Sequence, residues 1–469
     1  MELFGTAGIR GDTTSRVTPE LALAVGRAAG LAAVDAGDAE FVVGRDGRTT
    51  GEAHASADEA GLLSAGASVR RAGVGPTPAL AFESRGRRGV MVTASHNPPT
   101  DNGLKLFVDG VEYDRTMEEA VETRVDRDAP PVAWDRWATT ERVAPLSRYR
   151  RAVAAYARGL GADLAGLAVA VDCGNGVGAL GTPAVLRELG ADVVSINDNV
   201  DGHFPGRESK PTAESLADFR AFVESGEFAL GIAHDGDADR VVVVDSTGEL
   251  VHEDTVVAIL AAAYVRAATT ADADDGSAAS PVGEAEDPVV VTTPNASARI
   301  DEQVAAAGGR VERVRLGALH EGIAAALEAG GDVVFAAEPW KHVHTQFGGW
   351  IDGICSAAVV ARLVAGHADG LAGLREPVTE RPYRKMSVPC PDEDKKEAMA
   401  TLETTLAEAY PEAEVDTEHG VRLEFPDASW LLVRPSGTEP YVRVYAESDD
   451  VDALVDEART LVERAVGDA

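Results

Sequence analysis

Ala229-Leu230-Gly231-Ile232-Ala233-His234-Asp235-Gly236-Asp237-Ala238-Asp239-Arg240 decides how this chain folds. Its apolar opening reads as a buried strand, and its acidic remainder as a loop leaving the strand's carboxyl end. Asp235, Asp237 and Asp239 alternate with the small residues Gly236 and Ala238. In an extended or turning backbone, alternate side chains point the same way. Three close carboxylates repel one another unless a cation joins them, and an all-oxygen ligand set favours magnesium, with calcium open. An EF-hand is excluded, because its sixth position would be Arg240 rather than Gly and its twelfth Ser246 rather than Glu. A solvated acidic turn is the plain alternative in so acidic a chain. Arg240 weighs against it, since an arginine beside a cation cage suits a phosphate oxygen.

The same strand-then-loop pattern recurs outward in both directions. Phe41-Val42-Val43, Val90-Met91-Val92, 167–171, Val289-Val290-Val291 and Val333-Val334-Phe335 read as further buried strands, each followed by a polar or glycine-rich loop. Helical patterns such as 19–33 and 215–224 lie between them. This rhythm predicts α/β architecture with ligand loops at the strand carboxyl ends. A plain strand followed by one with a chemically loaded loop occurs three times: Phe41 then Val90, Val169 then Gly231, Val289 then Val333. Three similar α/β domains in tandem are therefore expected, over 1–145, 146–248 and 249–375. The third carries an aperiodic Ala/Asp/Glu/Ser-rich stretch, 269–288, expected to be a disordered insertion. From 376 the texture changes to a polar helix, three short strands (422–425, 430–433 and 441–445) and a closing helix, a smaller α+β domain.

Composition narrows the partners. The 469 residues carry a formal net charge of −35, and only six of the 43 basic residues are lysine. Such a surface repels nucleic acid and anionic lipid. No run is long enough for a membrane span, and the amino terminus lacks the basic-then-apolar pattern of a signal peptide. Cys173, Cys355 and Cys390 have no metal-ligand spacing and suit reduced thiols in a cytoplasm. A salt-loaded cytoplasm fits the charge, because molar salt shortens the Debye length to roughly 3 Å. An anionic substrate would need a local island of arginine, amide dipoles and metal inside this acidic exterior.

Other loops could supply that island. In Thr93-Ala94-Ser95-His96-Asn97-Pro98-Pro99, Ser95 presents a hydroxyl in a tight turn after an apolar run, with Lys105 ten residues on. A turn or cap serine is the bland reading of Ser95, and a solvent-facing strand lysine that of Lys105. Arg434-Pro435-Ser436-Gly437-Thr438-Glu439-Pro440, with Arg443 beyond it, combines hydroxyls, bare amides and guanidinium groups into a phosphate cradle. Ala337-Glu338-Pro339-Trp340-Lys341-His342 follows a buried strand, so Glu338 could accept hydrogen bonds from sugar hydroxyls. Trp340 and His342 could equally be packing residues. Arg10 sits in the glycine-rich turn 5–11 and suits a further anion contact. Gly176-Val177-Gly178-Ala179-Leu180-Gly181 imitates a dinucleotide fingerprint, but 48 glycines make a chance match easy.

Taken together, these motifs resemble the α-D-phosphohexomutase superfamily, from 4–11 to 434–440 in the family's order. The resemblance implies three similar α/β domains and a smaller fourth around one central cleft. It implies that Ser95 carries the phosphoryl group, and that Asp235, Asp237 and Asp239 bind Mg2+ together with a phosphate oxygen on Ser95. Arg10 and Lys105 would flank the phosphoserine as catalytic groups. Arg240, Glu338 and His342 would meet the sugar, while Arg434, Ser436, Gly437, Thr438 and Arg443 would grip the phosphate that is not reacting. The implied reaction moves a phosphoryl group between C1 and C6 of a hexose or hexosamine phosphate, with a hexose 1,6-bisphosphate as intermediate and activator. Phosphopentomutase activity, a metal-dependent phosphatase and a non-catalytic sugar-phosphate binder are the alternatives. Many members have Gly-Glu-X-Ser-Gly-His in the sugar loop, whereas here Trp340 and Lys341 replace the serine and second glycine. The preferred sugar is left open by that departure.

Overall fold

A computed structural model of the chain describes residues 3–5, 8–269, 283–436 and 439–467. Four sheets organise them. In the first, Glu40–Arg45 lies parallel between Ser68–Val74 and Arg88–Val92, and Asp101–Val108 runs antiparallel beside Arg88–Val92. In the second, Ala168–Asp172 lies parallel between Asp192–Ile196 and Leu230–Ala233, with Val242–Asp245 antiparallel outside. In the third, Pro288–Thr292 lies parallel between Arg310–Arg313 and Asp332–Glu338, with Lys341–Val343 antiparallel outside. One four-strand arrangement is thus used three times, and its two central strands are the pairs whose loops alternate plain and loaded in the sequence. Every residue of Arg88–Val92, Leu230–Ala233 and Pro288–Thr292 is buried, as strands covered on both faces must be.

The first sheet grows to seven strands, gaining Ile9–Asp12 and the short Val111–Glu112 beside Asp101–Val108 and Thr140–Arg142 on the other edge. Its flanking helix Pro19–Ala36 starts as the sequence dictates: the Thr18 hydroxyl accepts from the Leu21 amide, and Pro19 needs no such partner. The fourth sheet is antiparallel, in the order Tyr383–Pro389, Tyr441–Glu447, Trp430–Pro435, Val421–Glu424, Glu414–Asp416. Helices Lys395–Ala409 and Val451–Gly467 pack on it.

Two expectations change. The stretch 269–288 is not wholly a loop, because Thr269 ends the helix Glu253–Thr269 and Pro288 opens a buried strand. Residues 270–282 lie outside the described residues. The last domain begins with the strand Tyr383–Pro389 rather than with its polar helix. That strand stands at the sheet edge, largely in solvent, so it lacks the apolar run that betrays a buried one.

One hydrophobic core joins the three repeated domains, gathering Phe82, Tyr149, Val171, Val290 and Trp350. Within it the Tyr149 hydroxyl donates to Asp352 Oδ1 at 2.7 Å. The fourth domain has its own core around Leu402, Val433, Val444 and Val462. It docks on the third through the fully buried pair Arg299–Glu447 at 2.7 Å and through Arg422, which donates to the Ala296 carbonyl. Among the described residues no helix is long and apolar enough to cross a membrane.

Candidate active site

Ser95 sits where Arg88–Val92 ends, with φ of 52° and no exposed surface. A left-handed serine is costly and persists only when its surroundings hold it. Buried Arg48 does so. Its guanidinium donates to the carbonyls of Ser95 (2.8 Å), Asn97 (2.7 Å) and Asp101 (2.9 Å), while Asp46 braces it at 3.1 Å. Asp46 also accepts from the Thr93 hydroxyl, which in turn accepts from the Ser95 amide. The turn is therefore tied from inside by residues of the neighbouring strand's loop. The sequence reading passed over Arg48 and Asp46; their signal was a charged pair directly after the buried strand at Phe41.

The Ser95 hydroxyl donates to Asp235 Oδ2 at 2.7 Å, across 140 residues of chain. Asp235, Asp237 and Asp239 each offer an oxygen, all within 4.8 Å of one another, and all three side chains are buried. Small residues allow this approach: a Cβ on Gly236 would lie 2.7 Å from the Ser95 carbonyl oxygen, and one on Gly176 would lie 2.7 Å from the Gly236 oxygen. The supposed dinucleotide fingerprint is thus filled by the aspartate loop itself. Buried His234 holds the loop's ends together, bonding the Arg240 carbonyl with Nδ1 and Thr182 with Nε2.

Positive groups surround the acids. Lys105 Nζ lies 3.1 Å from Asp237 Oδ2 and 2.5 Å from Asp239 Oδ2. Burial opposes its charge, but Asp237 and Asp239 outweigh that and raise its pKa above the ordinary lysine value. Thr77, from another turn of the first domain, donates its hydroxyl to Asp237 at 2.7 Å. Burial, reinforced by Asp239 and Asp237, lifts the Asp235 carboxyl to about 8. Asp239 is held below the usual carboxylate range despite burial, because Lys105 and Arg240 stand beside it. Asp237 Oδ1 and Asp239 Oδ1 are buried without a partner. Carboxylate oxygens buried in one cluster without hydrogen-bond partners are a fit for a small divalent cation. His96 adds no charge, since burial, Arg240 and Arg10 press its pKa down to about 2.

Around this centre the cleft is lined by Arg10, Lys105, Asp239, Glu338 and Lys341. Arg10 stands opposite Gly103 on the added strand, its Nε buried and unpartnered. Glu338 is half-buried; its carboxylate accepts from the Gly317 amide at 2.5 Å and from Lys341 Nζ at 3.1 Å. Although burial raises a carboxyl's pKa, Lys341 and the Gly317 amide leave Glu338 below its ordinary value. Farther along, Arg434, Ser436 and Arg443 line, with Arg315, an adjoining cavity that shares Gly317 and His320 with the first. Ser436 Oγ and Arg434 Nε are buried without partners, as a phosphate grip would leave them. Lys395, which no sequence motif singles out, braces that turn by donating to the Ser436 and Glu439 carbonyls. Gly437 and Thr438 lie outside the described residues. His342 does not reach the cleft. It is fully enclosed beside Phe335, with Nδ1 3.0 Å from Ser356 Oγ, because strand alternation sends it inward while Lys341 and Val343 line the opening. Trp340 likewise packs against the core of the second domain.

A buried hydroxyl on a carboxylate trio, walled by lysine and arginine from four domains, is the equipment of an enzyme that transfers phosphoryl groups. Comparison with known proteins gives the class a lineage. Sequence patterns described as "Phosphoglucomutase/phosphomannomutase, alpha/beta/alpha domain I" and "domain II" match residues 1–131 and 148–248, and the "C-terminal domain" matches 386–464. A phosphopentomutase of Thermococcus kodakarensis is 41% identical over 100% of this chain and 99% of its own. A probable phosphoglucosamine mutase of Methanopyrus kandleri is 38% identical over 99% and 98%. In fold, the chain matches a phosphoglucomutase/phosphomannomutase family protein from Burkholderia thailandensis, with a TM-score of 0.85 at 23% identity over 99% of this chain and 97% of that one. The chain belongs to the α-D-phosphohexomutase superfamily and is a phosphosugar mutase.

Proposed function

We propose that this mutase works through a phosphoserine at Ser95, which gives one phosphoryl group to the sugar and takes the other one back. The observation that supports the reading is the 2.7 Å contact of the Ser95 hydroxyl with the buried aspartate trio. Phosphoserine 95 donates its group to the free hydroxyl of a sugar monophosphate. The phosphorus–oxygen bond to Ser95 breaks as the bond to the sugar oxygen forms. In sum the sugar hydroxyl loses a proton and Ser95 gains one, and Lys105, an ammonium beside Asp237 and Asp239, is the group we assign to carry it. The resulting bisphosphate turns within the cleft and gives its other phosphate back to Ser95. Arg434, Ser436 and Arg443, with Gly437 and Thr438, hold the phosphate that is not reacting, while Arg10 and Arg240 steady the reacting end. Asp235, Asp237, Asp239 and a phosphate oxygen on Ser95 would hold Mg2+, which when bound neutralises charge on the transferring group. Such a transfer depends on in-line placement and charge neutralisation more than on covalent activation.

The substrate is an aldose phosphate with its second phosphate site at the far carbon. A hexose or hexosamine 6-phosphate is one candidate. A pentose 5-phosphate is the second, favoured by the occupied state of Glu338. Mass spectrometry of the purified protein should find phosphate on Ser95, and Ser95→Ala should lose both that phosphate and mutase turnover. Full turnover by Ser95→Ala would refute the assignment. Net release of inorganic phosphate in place of isomerisation would make the protein a phosphatase.

A further inference from the structure

Lys341 is unusual for this chain. Only six lysines occur in 469 residues, and two of them, Lys105 and Lys341, line the same cleft. Lys105 is spoken for by Asp237 and Asp239. Lys341 stands directly opposite Glu338 across the two-residue turn Pro339-Trp340. Its place is fixed from three sides. Its backbone bridges to Arg240 at the end of the aspartate loop, and the Val241 amide donates to the Trp340 carbonyl. Trp340, left-handed at φ 67°, anchors the turn in the core of the second domain. The lysine side chain is itself only 15% exposed.

The consequence is chemical and steric. A bare glutamate offers a sugar two acceptor oxygens and an open approach. Here one Glu338 oxygen is taken by the Gly317 amide and the other by the ammonium. What faces the cleft is an acceptor and a donor side by side, and the lysine stem fills space next to them. A vicinal diol matches that pair when one hydroxyl donates to Glu338 and its neighbour accepts from Lys341 Nζ. A stem that occupies this space favours a compact ring carrying such a diol over a bulkier one. We propose that Lys341 is the specificity-determining residue of this mutase, and that with Glu338 it selects a pentose phosphate over a hexose phosphate. The assignment rests on the mutase reading above.

The test compares kcat/KM for ribose 1-phosphate and glucose 1-phosphate, each with a trace of its bisphosphate, in the parent, Lys341→Gly and Lys341→Met. One added or missing group in a pocket changes discrimination by about tenfold or more. The parent should therefore favour ribose 1-phosphate by about tenfold or more, and Lys341→Gly should move the ratio toward glucose 1-phosphate by a similar factor. Lys341→Met keeps the bulk without the ammonium, so the hexose should stay excluded while KM for the pentose rises. A parent that uses glucose 1-phosphate equally well, or a ratio unmoved in Lys341→Gly, overturns the proposal. Should Lys341→Gly fail to fold, an unchanged pentose KM in Lys341→Met does the same. Failure of the mutase reading looks different: neither sugar turns over in the parent and Ser95 carries no phosphate.

Discussion

At the scale of single residues, the site depends on side chains that never meet substrate. Arg48 is fully buried, paired with Asp46, and holds the Ser95 turn by four carbonyls, those of Ser95, Asn97, Pro98 and Asp101. Removing its charge leaves Asp46 unpaired in the interior, which costs about 3–5 kcal/mol. Arg48→Met should lower the urea midpoint accordingly and reduce kcat even where the protein remains folded. Gly236→Ala is gentler and more telling. Its new methyl would meet the Ser95 carbonyl at 2.7 Å, pushing the Ser95 turn and the aspartate loop apart. A misplacement of that size costs about 100-fold in rate. Circular dichroism should be unchanged while kcat falls; an active Gly236→Ala would show that the two loops need not touch. Chelation of divalent cations should silence the parent, with Mg2+ restoring it. The aspartates stand out in the sequence by their alternation, whereas Ser95 stands out only through the family motif around it. Arg48 stands out in neither way, since nothing in a linear string tells a buried arginine that braces a turn from one in solvent.

At the scale of elements, the hairpin Asp332–Glu338 with Lys341–Val343 shows what alternation does. One face lines the cleft; the other buries His342, with His344 beyond the strand's end. Burial drives both imidazoles down to about 3 from the ordinary 6.5. The folded state therefore holds them neutral where an unfolded chain would protonate them. The unfolded state binds more protons below about pH 6.5, so stability is full above that value and falls as pH drops toward 3. Between pH 6.5 and 5 each histidine should cost about 2 kcal/mol. The urea midpoint measured across that interval should fall, and His344→Gln should flatten the slope; an unaltered slope would acquit the histidine. The strands themselves were readable wherever both faces are buried. Tyr383–Pro389 was not, because an edge strand facing water has no apolar pattern to read. Whether His342 turns inward is open in the sequence for a related reason: its face depends on where the strand begins, and strand starts are poorly marked in sequence.

At the scale of the whole molecule, the threefold recurrence of one strand order was visible as a rhythm of plain and loaded loops. What the rhythm lacked was the docking of the last domain, which rests on the buried pair Arg299–Glu447 and on Arg422. Net charge of −35 acts on this whole assembly. Mutual repulsion of surface carboxylates is screened only at high ionic strength, where the Debye length contracts to roughly 3 Å. The melting temperature should climb as KCl rises from 0.1 to about 3 M; a curve flat in salt would remove the case for a saline interior. The reactive centre meanwhile owns no domain of its own. Ser95 comes from the first sheet, the aspartates from the second, Glu338 and Lys341 from the third, and Arg434 from the fourth. Turnover is accordingly a reporter of quaternary-like fit inside one polypeptide. In a denaturant titration, enzymatic signal should vanish before helical ellipticity does, because parting the lobes by a few ångströms disarms the catalyst while each lobe is still intact.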